Sequence, residues 1–239
     1  MSVYAILKCS YHWERDFSSN DPSVHKPIAV GGFLGSAFFL NDHVAITAYH
    51  VLNEESFFPE APHNNVQIWM VSELGTSFEI KVGFIESYPH LDISIIRFIV
   101  GQIGANIFEL DTDFIVNTEI KNEGYPDFGP PNIQLKVAQL LNETPKLAIE
   151  SADLRNSLFN KSGNIKSIEK ESVNKNDIKL NNIEIIRTNY GGKKGMSGSP
   201  LVKISNGKVI GVMSHGYPED IVDKEELCAI SVNEFIHLI

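Results

Sequence analysis

The sequence GMSGSPLV occupies residues 195–202, where small residues surround a serine and a proline leads into an apolar run. Ser197 is preceded by Gly195 and followed by Gly198, and glycine permits the tight backbone that points two N–H groups at one spot. A serine hydroxyl in such a loop can attack a carbonyl group whose oxyanion those N–H groups stabilise. A Gly/Ser turn between two strands is the competing interpretation of this motif on its own.

Two further motifs offer partners for this serine. The segment TAYHVL ends an apolar strand with His50, and the segment LDISIIR places Asp92 at the head of another strand. Histidine and aspartate are residue types that can act together with a nucleophilic serine in one site. Asp111 and Asp113 are the alternatives to Asp92, but no alternating strand follows either of them.

Short apolar runs rich in Val, Ile and Phe recur along the chain between turn residues. Strands of about six residues separated by Gly, Pro, Asn and Asp are typical of an all-β barrel or sandwich. The pattern weakens near the middle of the sequence and then resumes. We therefore expect an N-terminal β unit over residues 1–110, which carries His50 and Asp92. A C-terminal β unit over residues 111–239 would carry Ser197.

Two segments of the C-terminal half depart from the strand pattern. Residues 151–180 are rich in Asn, Lys, Ser and Glu and lack a sustained apolar period, so we expect a surface insertion there. The final residues predict a short C-terminal helix with Asn233 as N-cap. The sequence ends at Ile239 without a polar tail, which favours additional domains beyond Ile239 or a partner that activates the chain.

Composition limits the class of protein. The chain has 239 residues, of which 43% are hydrophobic and 21% charged, and its formal net charge is −10. The hydrophobic fraction suits a globular fold with a sizeable core, and the negative charge argues against nucleic-acid binding. No apolar run reaches the roughly 20 residues that a membrane span requires.

The N-terminus and the cysteines bear on the compartment. No basic segment precedes the first apolar run and no small-residue cleavage site follows it, so a secretory signal is not predicted. Cys9 and Cys228 do not make a disulfide framework or a zinc motif. A cytoplasmic setting is expected. No metal or cofactor is predicted, because no metal-ligand spacing connects the histidines outside these motifs: His12, His25, His43, His63, His90 and His237.

Together the motifs resemble the trypsin/chymotrypsin family of serine proteases, and in particular its prokaryotic-type trypsin-like peptidase domains. The family carries a G-S-[AG]-F strand, then T-A-x-H, then D-[IL]-[AS] before two aliphatic residues, then G-x-S-G-[GS]-P. Here the four motifs begin at Gly35, Thr47, Asp92 and Gly195. The order His, Asp, Ser separates this family from subtilisins and α/β-hydrolases. The resemblance implies an all-β fold of two antiparallel six-stranded β-barrels with the site between them.

The resemblance also implies a role for each matching residue. His50 is the general base, Asp92 orients it, and Ser197 is the nucleophile. The N–H groups of Gly195 and Ser197 form the oxyanion hole. Four residues are expected to bind substrate: Gly192, Ser214, His215 and Gly216. Ser214 also corresponds to the family serine that contacts the catalytic aspartate. His215 replaces the aromatic residue that is usual in the family at that position.

The sequence differs from the digestive and clotting members of the family in its activation features. Those enzymes are switched on when a newly cut N-terminus pairs with an aspartate just before the nucleophile. Met196 occupies that position here and cannot pair with an ammonium group. Val30 begins a V-G-G sequence that resembles their mature terminus, and we interpret it as a Gly-rich entry into a strand. An acidic stretch either attracts basic substrates or is a solvated loop: Glu219, Asp220, Asp223, Glu225 and Glu226.

Three functions are compatible with these motifs. The first is a working serine endopeptidase that cleaves protein or peptide substrates. The second is a catalytically silent, protease-like module that binds proteins. The third is a regulated protease domain of a larger intracellular system. The complete Ser, His and Asp set favours an enzyme over the silent module, and nucleic-acid and membrane partners are not expected.

Overall fold

The computed structural model describes residues 3–15, 17–18, 20–21, 25–53, 65–72, 76–102, 104–126, 133–138, 146–152, 154, 158–175, 178–216 and 226–239. This part of the chain contains fifteen β-strands, short 3₁₀ turns and no α-helix. The all-β fold class expected from the sequence is confirmed. Within the same residues, no helix is long and apolar enough to cross a membrane.

The first seven strands form one antiparallel sheet. They are β1 Tyr4–Arg15, β2 His25–Phe39, β3 Val44–Ala48, β4 Asn65–Ser72, β5 Ser77–Ile80, β6 Ile85–Tyr88 and β7 Ile93–Arg97. Their order across the sheet is β5-β4-β1-β2-β3-β7-β6. The strand β3 is buried along its whole length and pairs with β7 from Val44 opposite Arg97 to Ala48 opposite Ile93. The ends of these two strands therefore bring the segments around His50 and Asp92 side by side.

The second half of the chain forms a closed barrel. Its six strands are β8 Glu119–Gly124, β11 Phe159–Lys175, β12 Ile178–Thr188, β13 Pro200–Lys203, β14 Val209–Gly216 and β15 Leu227–Ser231. Two further strands, β9 Ile133–Ala138 and β10 Lys146–Ala152, lie outside the barrel. The barrel closes in the order β11-β12-β15-β14-β13-β8, and β9 pairs only with β10. The expected all-β fold of two units is thus confirmed: the C-terminal unit is a closed barrel of six strands, and the N-terminal unit is a sheet of seven strands rather than six.

The polar stretch differs from the surface insertion expected around residues 151–180. Most of its described residues belong to β11 and the beginning of β12, two long strands that pair with each other inside the barrel wall. An antiparallel sheet can leave one face in water, so a strand with few apolar residues can still hold a place in the barrel. In β12 the buried residues include Leu180, Ile183 and Ile185, and exposed polar residues lie between them.

The predicted C-terminal helix is replaced by two 3₁₀ turns, Val232–Glu234 and Ile236–Leu238. The apolar residues that face the core recur every three residues, which matches the three residues per turn of a 3₁₀ helix. Val232 and Phe235 are fully buried and Leu238 packs against them. The N-cap is Ser231 rather than the predicted Asn233, because the Ser231 hydroxyl accepts the capping hydrogen bond from the Asn233 N–H.

A single cluster of buried apolar side chains takes members from both units. From the N-terminal unit it includes Phe38, Ile46, Leu91, Ile93 and Ile95, and from the C-terminal unit Ile183, Ile185, Val212, Ile230 and Phe235. Because the cluster is shared, the strand ends of the two units lie against each other. We propose that the units divide at residues 110 and 111, within the connection between β7 and β8.

Candidate active site

His50 and Asp92 are joined by three short contacts at the end of the N-terminal sheet. The backbone N–H of His50 donates to Asp92 Oδ1 at 3.0 Å, and ring atom Nδ1 lies 2.9 Å from each carboxylate oxygen. A carboxylate offers only lone pairs, so Nδ1 carries the hydrogen of this bond. The opposite ring nitrogen, Nε2, is then left with a lone pair that can accept a proton.

The backbone around Asp92 is unusual and turns its side chain inward. A 3₁₀ turn over Pro89–Leu91 ends at Asp92, whose φ of 52° and ψ of 40° lie in the left-handed region. Aspartate tolerates this region better than most residues, because its short polar side chain bonds locally. The Asp92 carbonyl in turn accepts the N–H of Tyr49 at 3.0 Å. The two turns that carry His50 and Asp92 are therefore held together by backbone and side chain.

Ser214 connects this pair to the barrel. Its hydroxyl donates to Asp92 Oδ2 at 2.5 Å, across 122 residues of sequence. The Asp92 side chain is fully buried, and a buried carboxylate is costly unless donors surround it. Donors from both units therefore satisfy it, and the family-based expectation that Ser214 contacts Asp92 agrees with this geometry.

The loop that carries Ser197 is tied to both units through its main chain. On one side, the N–H of Ser36 in β2 donates to the carbonyl of Ser197 at 2.8 Å. On the other side, the N–H of Gly198 donates to the carbonyl of Met213 at 2.7 Å. The N–H of Met213 donates to the carbonyl of Ser199 at 2.9 Å. The Ser197 backbone is thereby fixed between the sheet and the barrel.

Gly198 allows this close approach. Its φ is +83°, and a Cβ atom there would lie 2.1 Å from the Ser36 carbonyl oxygen and 2.2 Å from Thr47 Oγ1. Thr47 also donates its hydroxyl to the Ser36 carbonyl at 2.7 Å. The glycine after the serine is therefore required by both its backbone angle and the space around it.

The residues before Ser197 provide the candidate oxyanion hole. Gly195 has a φ of +93°, which glycine adopts without strain. Among the hydrogen bonds of the described residues, the N–H groups of Gly195 and Ser197 donate to no protein acceptor. Met196 is buried, and its sulfur accepts the N–H of Lys193 at 3.4 Å. The position just before Ser197 is thus occupied by a packed thioether, which cannot pair with an ammonium group.

The Ser197 hydroxyl donates to the carbonyl oxygen of Ser214 at 3.2 Å. Within the described residues no hydrogen bond joins this hydroxyl to His50. Catalytic hydrogen bonds are often long or misaligned in ligand-free proteins and form when substrate binds. A hydrogen bond from the Ser197 hydroxyl to His50 would require this hydroxyl to leave the Ser214 carbonyl.

The alternative aspartates lie elsewhere. Asp111 Oδ2 accepts hydrogen bonds from Lys203 at 3.1 Å and Asn206 at 2.7 Å, and its Oδ1 accepts the N–H of Asp113 at 2.8 Å. Its pKa is lowered first by the Asn206 side chain and then by the Asp113 N–H and Lys203. These contacts fasten the connection between the units to the β13–β14 turn, so the structure brings neither aspartate to His50.

The residues expected to bind substrate lie around the end of β14. Gly216 ends that strand opposite Leu227, and Gly192 packs against the same leucine, since a Cβ at Gly192 would lie 2.3 Å from Leu227 Cδ2. Ser214 and His215 precede Gly216 on the strand. Leu227 therefore connects Gly192 with the end of the strand that carries the other three residues.

Most of the acidic stretch lies outside the described residues, and Glu226 is its described member. Its carboxylate contacts Lys166 and accepts a hydrogen bond from Arg187 at 2.9 Å. The Lys166 hydrogen bond is the main reason that the pKa of Glu226 is lowered. Because it is already paired, Glu226 is not a free charge for a basic substrate.

A family model described as a trypsin-like peptidase domain matches residues 35–212. The chain belongs to this family. The matched range includes His50, Asp92 and Ser197 together with Ser36 and Thr47, which support the serine loop. No match was found among curated proteins.

Solved structures similar to this trypsin-like peptidase domain are also proteases. The HtrA-type protease AlgW with a decapeptide has a TM-score of 0.62 and 16% identity, over 99% of this chain and 62% of AlgW. The inactive form of Rv3671c from M. tuberculosis has a TM-score of 0.58 and 14% identity, over 97% of this chain and 83% of that protein. The active form of Rv3671c gives 0.56 and 16%, with coverages of 98% and 78%. At these identities the likeness shows the fold.

Two supports of the peptidase site were not assigned a role from sequence. Ser36 is fully buried; its backbone N–H donates to the Ser197 carbonyl, and its hydroxyl accepts the N–H of Tyr125 at 3.0 Å. Ser199 accepts a hydrogen bond from Asn122 at 2.8 Å. The G-S-A-F and G-S-P motifs contain both serines, so the motifs were a signal for them, but their partners are distant in sequence.

We predict that Gly198→Ala destabilises the peptidase domain far more than Gly104→Ala. Both glycines have a positive φ, but a Cβ at Gly104 would meet nothing within 4 Å. Left-handed strain costs each variant about 1–2 kcal/mol, and the contact with the Ser36 carbonyl should cost Gly198→Ala about 1–3 kcal/mol more. Urea unfolding of both variants measures the difference. Equal losses would show that the serine loop does not approach β2 as described.

Proposed function

We propose that this domain is a serine endopeptidase that hydrolyses protein or peptide substrates with Ser197 as nucleophile, His50 as general base and Asp92 as its orienting carboxylate. The observation that carries the proposal is the hydrogen-bonded set at the seam between the units. His50 Nδ1 lies 2.9 Å from the Asp92 carboxylate. The Ser214 hydroxyl donates to the same carboxylate, and the Ser214 carbonyl accepts the hydroxyl of Ser197. A set of hydrogen bonds that only stabilised the fold would not need a serine in a glycine-rich loop, such as Ser197, beside it.

The first half of the proposed reaction forms an acyl-enzyme. The Oγ atom of Ser197 attacks the carbonyl carbon of the scissile bond while its proton passes to Nε2 of His50. The new oxyanion accepts hydrogen bonds from the N–H groups of Gly195 and Ser197, which lack protein acceptors among the described residues. The C–N bond then breaks, and the leaving amine takes the proton from His50.

The second half releases the acyl group. A water molecule gives a proton to His50 and attacks the ester carbonyl, and collapse of that intermediate returns the proton to Ser197 Oγ. Asp92 keeps its negative charge and stabilises the His50 imidazolium in both halves. The carboxylate is suited to this because three donors from His50 and Ser214 hold it in place.

A peptide substrate is supported by the neighbours, since AlgW was solved with a decapeptide. We propose the same class of ligand for this chain, bound along Ser214, His215 and Gly216 with Gly192 opposite. An activating partner, additional domains beyond Ile239 and a cytoplasmic setting stay predictions from the sequence. Val30 lies within β2, paired with Ser10, so a cut before it would divide a strand rather than expose a mature terminus.

We further propose that the pocket for the residue before the scissile bond is shallow and apolar. The expected walls are residues 189–194 and Met213–Gly216. Leu227 lies against Gly192, and it belongs with Met213 and Tyr190 to one buried apolar cluster. A leucine in this position limits the depth of the pocket, and its neighbours Met213 and Tyr190 are buried as well. Small apolar side chains therefore fit best.

A fluorophosphonate probe should label Ser197, and Ser197→Ala should abolish both labelling and peptide hydrolysis. Loss of the nucleophile in such enzymes lowers turnover on the order of 10⁶-fold. Ser199→Ala is the matched control, because Ser199 is two residues away, fully buried and bonded to Asn122. Peptide mapping of the labelled protein identifies the serine. Labelling that persists in Ser197→Ala, or no labelling of the wild type, would contradict the proposal.

Asp92→Asn should lower turnover by roughly 10⁴-fold, because an amide permits the wrong His50 tautomer. Asp111→Asn is the control, since Asp111 binds Lys203 and Asn206 instead of the histidine. Its turnover should stay within a few-fold of wild type. Steady-state kinetics on one peptide, with circular dichroism to verify folding, distinguishes the two. A larger loss of turnover in Asp111→Asn than in Asp92→Asn would show that Asp111, and not Asp92, orients His50.

Leu227→Ala should shift the preference toward larger apolar residues before the scissile bond. Each added methylene accommodated by a pocket is worth about 10- to 200-fold in kcat/KM, so the ratio of rates for Leu and Ala substrates should rise by at least about 10-fold. Leu201→Ala removes the same atoms from the same cluster on β13 and should leave that ratio unchanged. Kinetics on a peptide series tests this. An unchanged ratio in Leu227→Ala would place the leucine outside the pocket.

A further inference from the structure

A second histidine, His215, is hydrogen-bonded to the group around Asp92. The Ser214 hydroxyl oxygen lies 2.5 Å from Asp92 Oδ2 and 3.2 Å from Nδ1 of His215. Together with the bonds between His50 and Asp92, these contacts make one continuous chain with an imidazole ring at each end. Catalysis as proposed above uses only the first ring.

The hydrogens of this chain can be assigned from the chemistry of its members. A hydroxyl has a single hydrogen, and Ser214 directs it to the carboxylate, which has none to offer. The contact between Ser214 Oγ and His215 therefore needs a hydrogen on Nδ1 of His215, with Ser214 as acceptor. A hydroxyl that accepts a hydrogen bond becomes a better donor, so the His215 bond strengthens the bond from Ser214 to Asp92.

A β-bulge explains how neighbouring residues of one strand come to contact each other. Side chains of successive strand residues point to opposite faces of a sheet. In β14, Met213 pairs with Ala229 and His215 pairs with Cys228, so Ser214 is the extra residue of the bulge. A bulge interrupts the alternation and redirects a side chain. It turns the Ser214 hydroxyl toward both Asp92 and the His215 ring.

Burial of His215 favours a neutral ring, although the charges around it act in both directions. Burial is the main cause that lowers the pKa of His215. Asp92 and Glu171 on β11 act against it, whereas Arg187 on β12 and His50 add to it. The Arg187 guanidinium is itself paired with Glu171 and Glu226, and burial raises the pKa of the Cys228 thiol on β15 to about 12. A neutral ring with its hydrogen on Nδ1 is the state that suits the contact with Ser214.

We propose that His215 is a positioning residue for the catalytic group: its Nδ1–H donates to Ser214 Oγ, and through Ser214 it holds the Asp92 carboxylate against His50. This role rests on the proposed function. It differs from the substrate-wall role expected for this position from the family, because it acts inward, on Asp92, rather than on the substrate.

The test compares His215→Phe with His215→Asn. Phenylalanine keeps a flat ring and removes the donor, whereas the asparagine amide can donate from near the position of Nδ1. The rate of labelling by a small fluorophosphonate without a peptide portion reports the reactivity of Ser197 and His50 while avoiding the peptide subsites. His215→Phe should lower that rate by about 3- to 10-fold, and His215→Asn should restore most of it.

A double-mutant cycle tests whether His215 acts through Ser214. In a Ser214→Ala background, His215→Phe should have no further effect on the labelling rate, since the intermediate hydroxyl is gone. Equal effects of His215→Phe in both backgrounds would overturn the proposal. So would normal labelling by both His215 variants together with a raised KM for peptides, which would make His215 a substrate wall only.

A spectroscopic measurement separates failure of this inference from failure of the proposed function. The measurement is the low-field proton NMR resonance of the hydrogen between His50 and Asp92, recorded in Ser197→Ala protein. Adding His215→Phe to this protein should shift the resonance, and adding His215→Asn should leave it in place. This readout needs no catalysis, so it holds even if the wild type is not labelled at Ser197. An unmoved resonance in His215→Phe would overturn the positioning role even if the enzyme proves active.

Discussion

The buried carboxylate of Asp92 is the constraint on which the arrangement of the two units depends. A fully buried charge without donors would be strongly destabilising, and here the donors come from both sides of the seam. His50 supplies two of them from the N-terminal sheet, and Ser214 supplies the third from the barrel. If the units moved apart, Asp92 would lose a donor. Satisfying this charge therefore fixes the relative position of the units at the place where the proposed chemistry occurs.

The serine loop depends on the same seam for a different reason. Its main chain is bonded to Ser36 on one side and Met213 on the other, and Gly198 is the point of closest approach. Neither unit alone provides both sets of partners. The core cluster shared by the two units adds apolar burial behind these bonds, so the polar site lies on a packed support. A rigid support of this kind suits the proposed function, in which a nucleophile, a base and two N–H donors must stay in one place.

Local sequence motifs predicted the structure correctly, whereas two predictions that depended on the composition or apolar pattern of a segment were wrong. The polar residues of β11 and β12 suggested an insertion, but pairing with neighbouring strands decides whether a polar segment is a strand. The C-terminal residues suggested a helix, but the short apolar repeat of Val232, Phe235 and Leu238 follows the 3₁₀ period. In both cases the competing structures differ little in intrinsic preference, and tertiary contacts select between them.

By itself the sequence determined the all-β class, the order of the motifs around His50, Asp92 and Ser197, and the need for glycine beside the serine. These features depend on periodicity and on the backbone freedom of a few residues, which are local properties. Only the tertiary structure decided that His215 bonds to Ser214 and that Leu227 lies against Gly192. The physical reason is that these contacts arise from a bulge, from strand register and from closure of the barrel. Each of those depends on how distant strands pair.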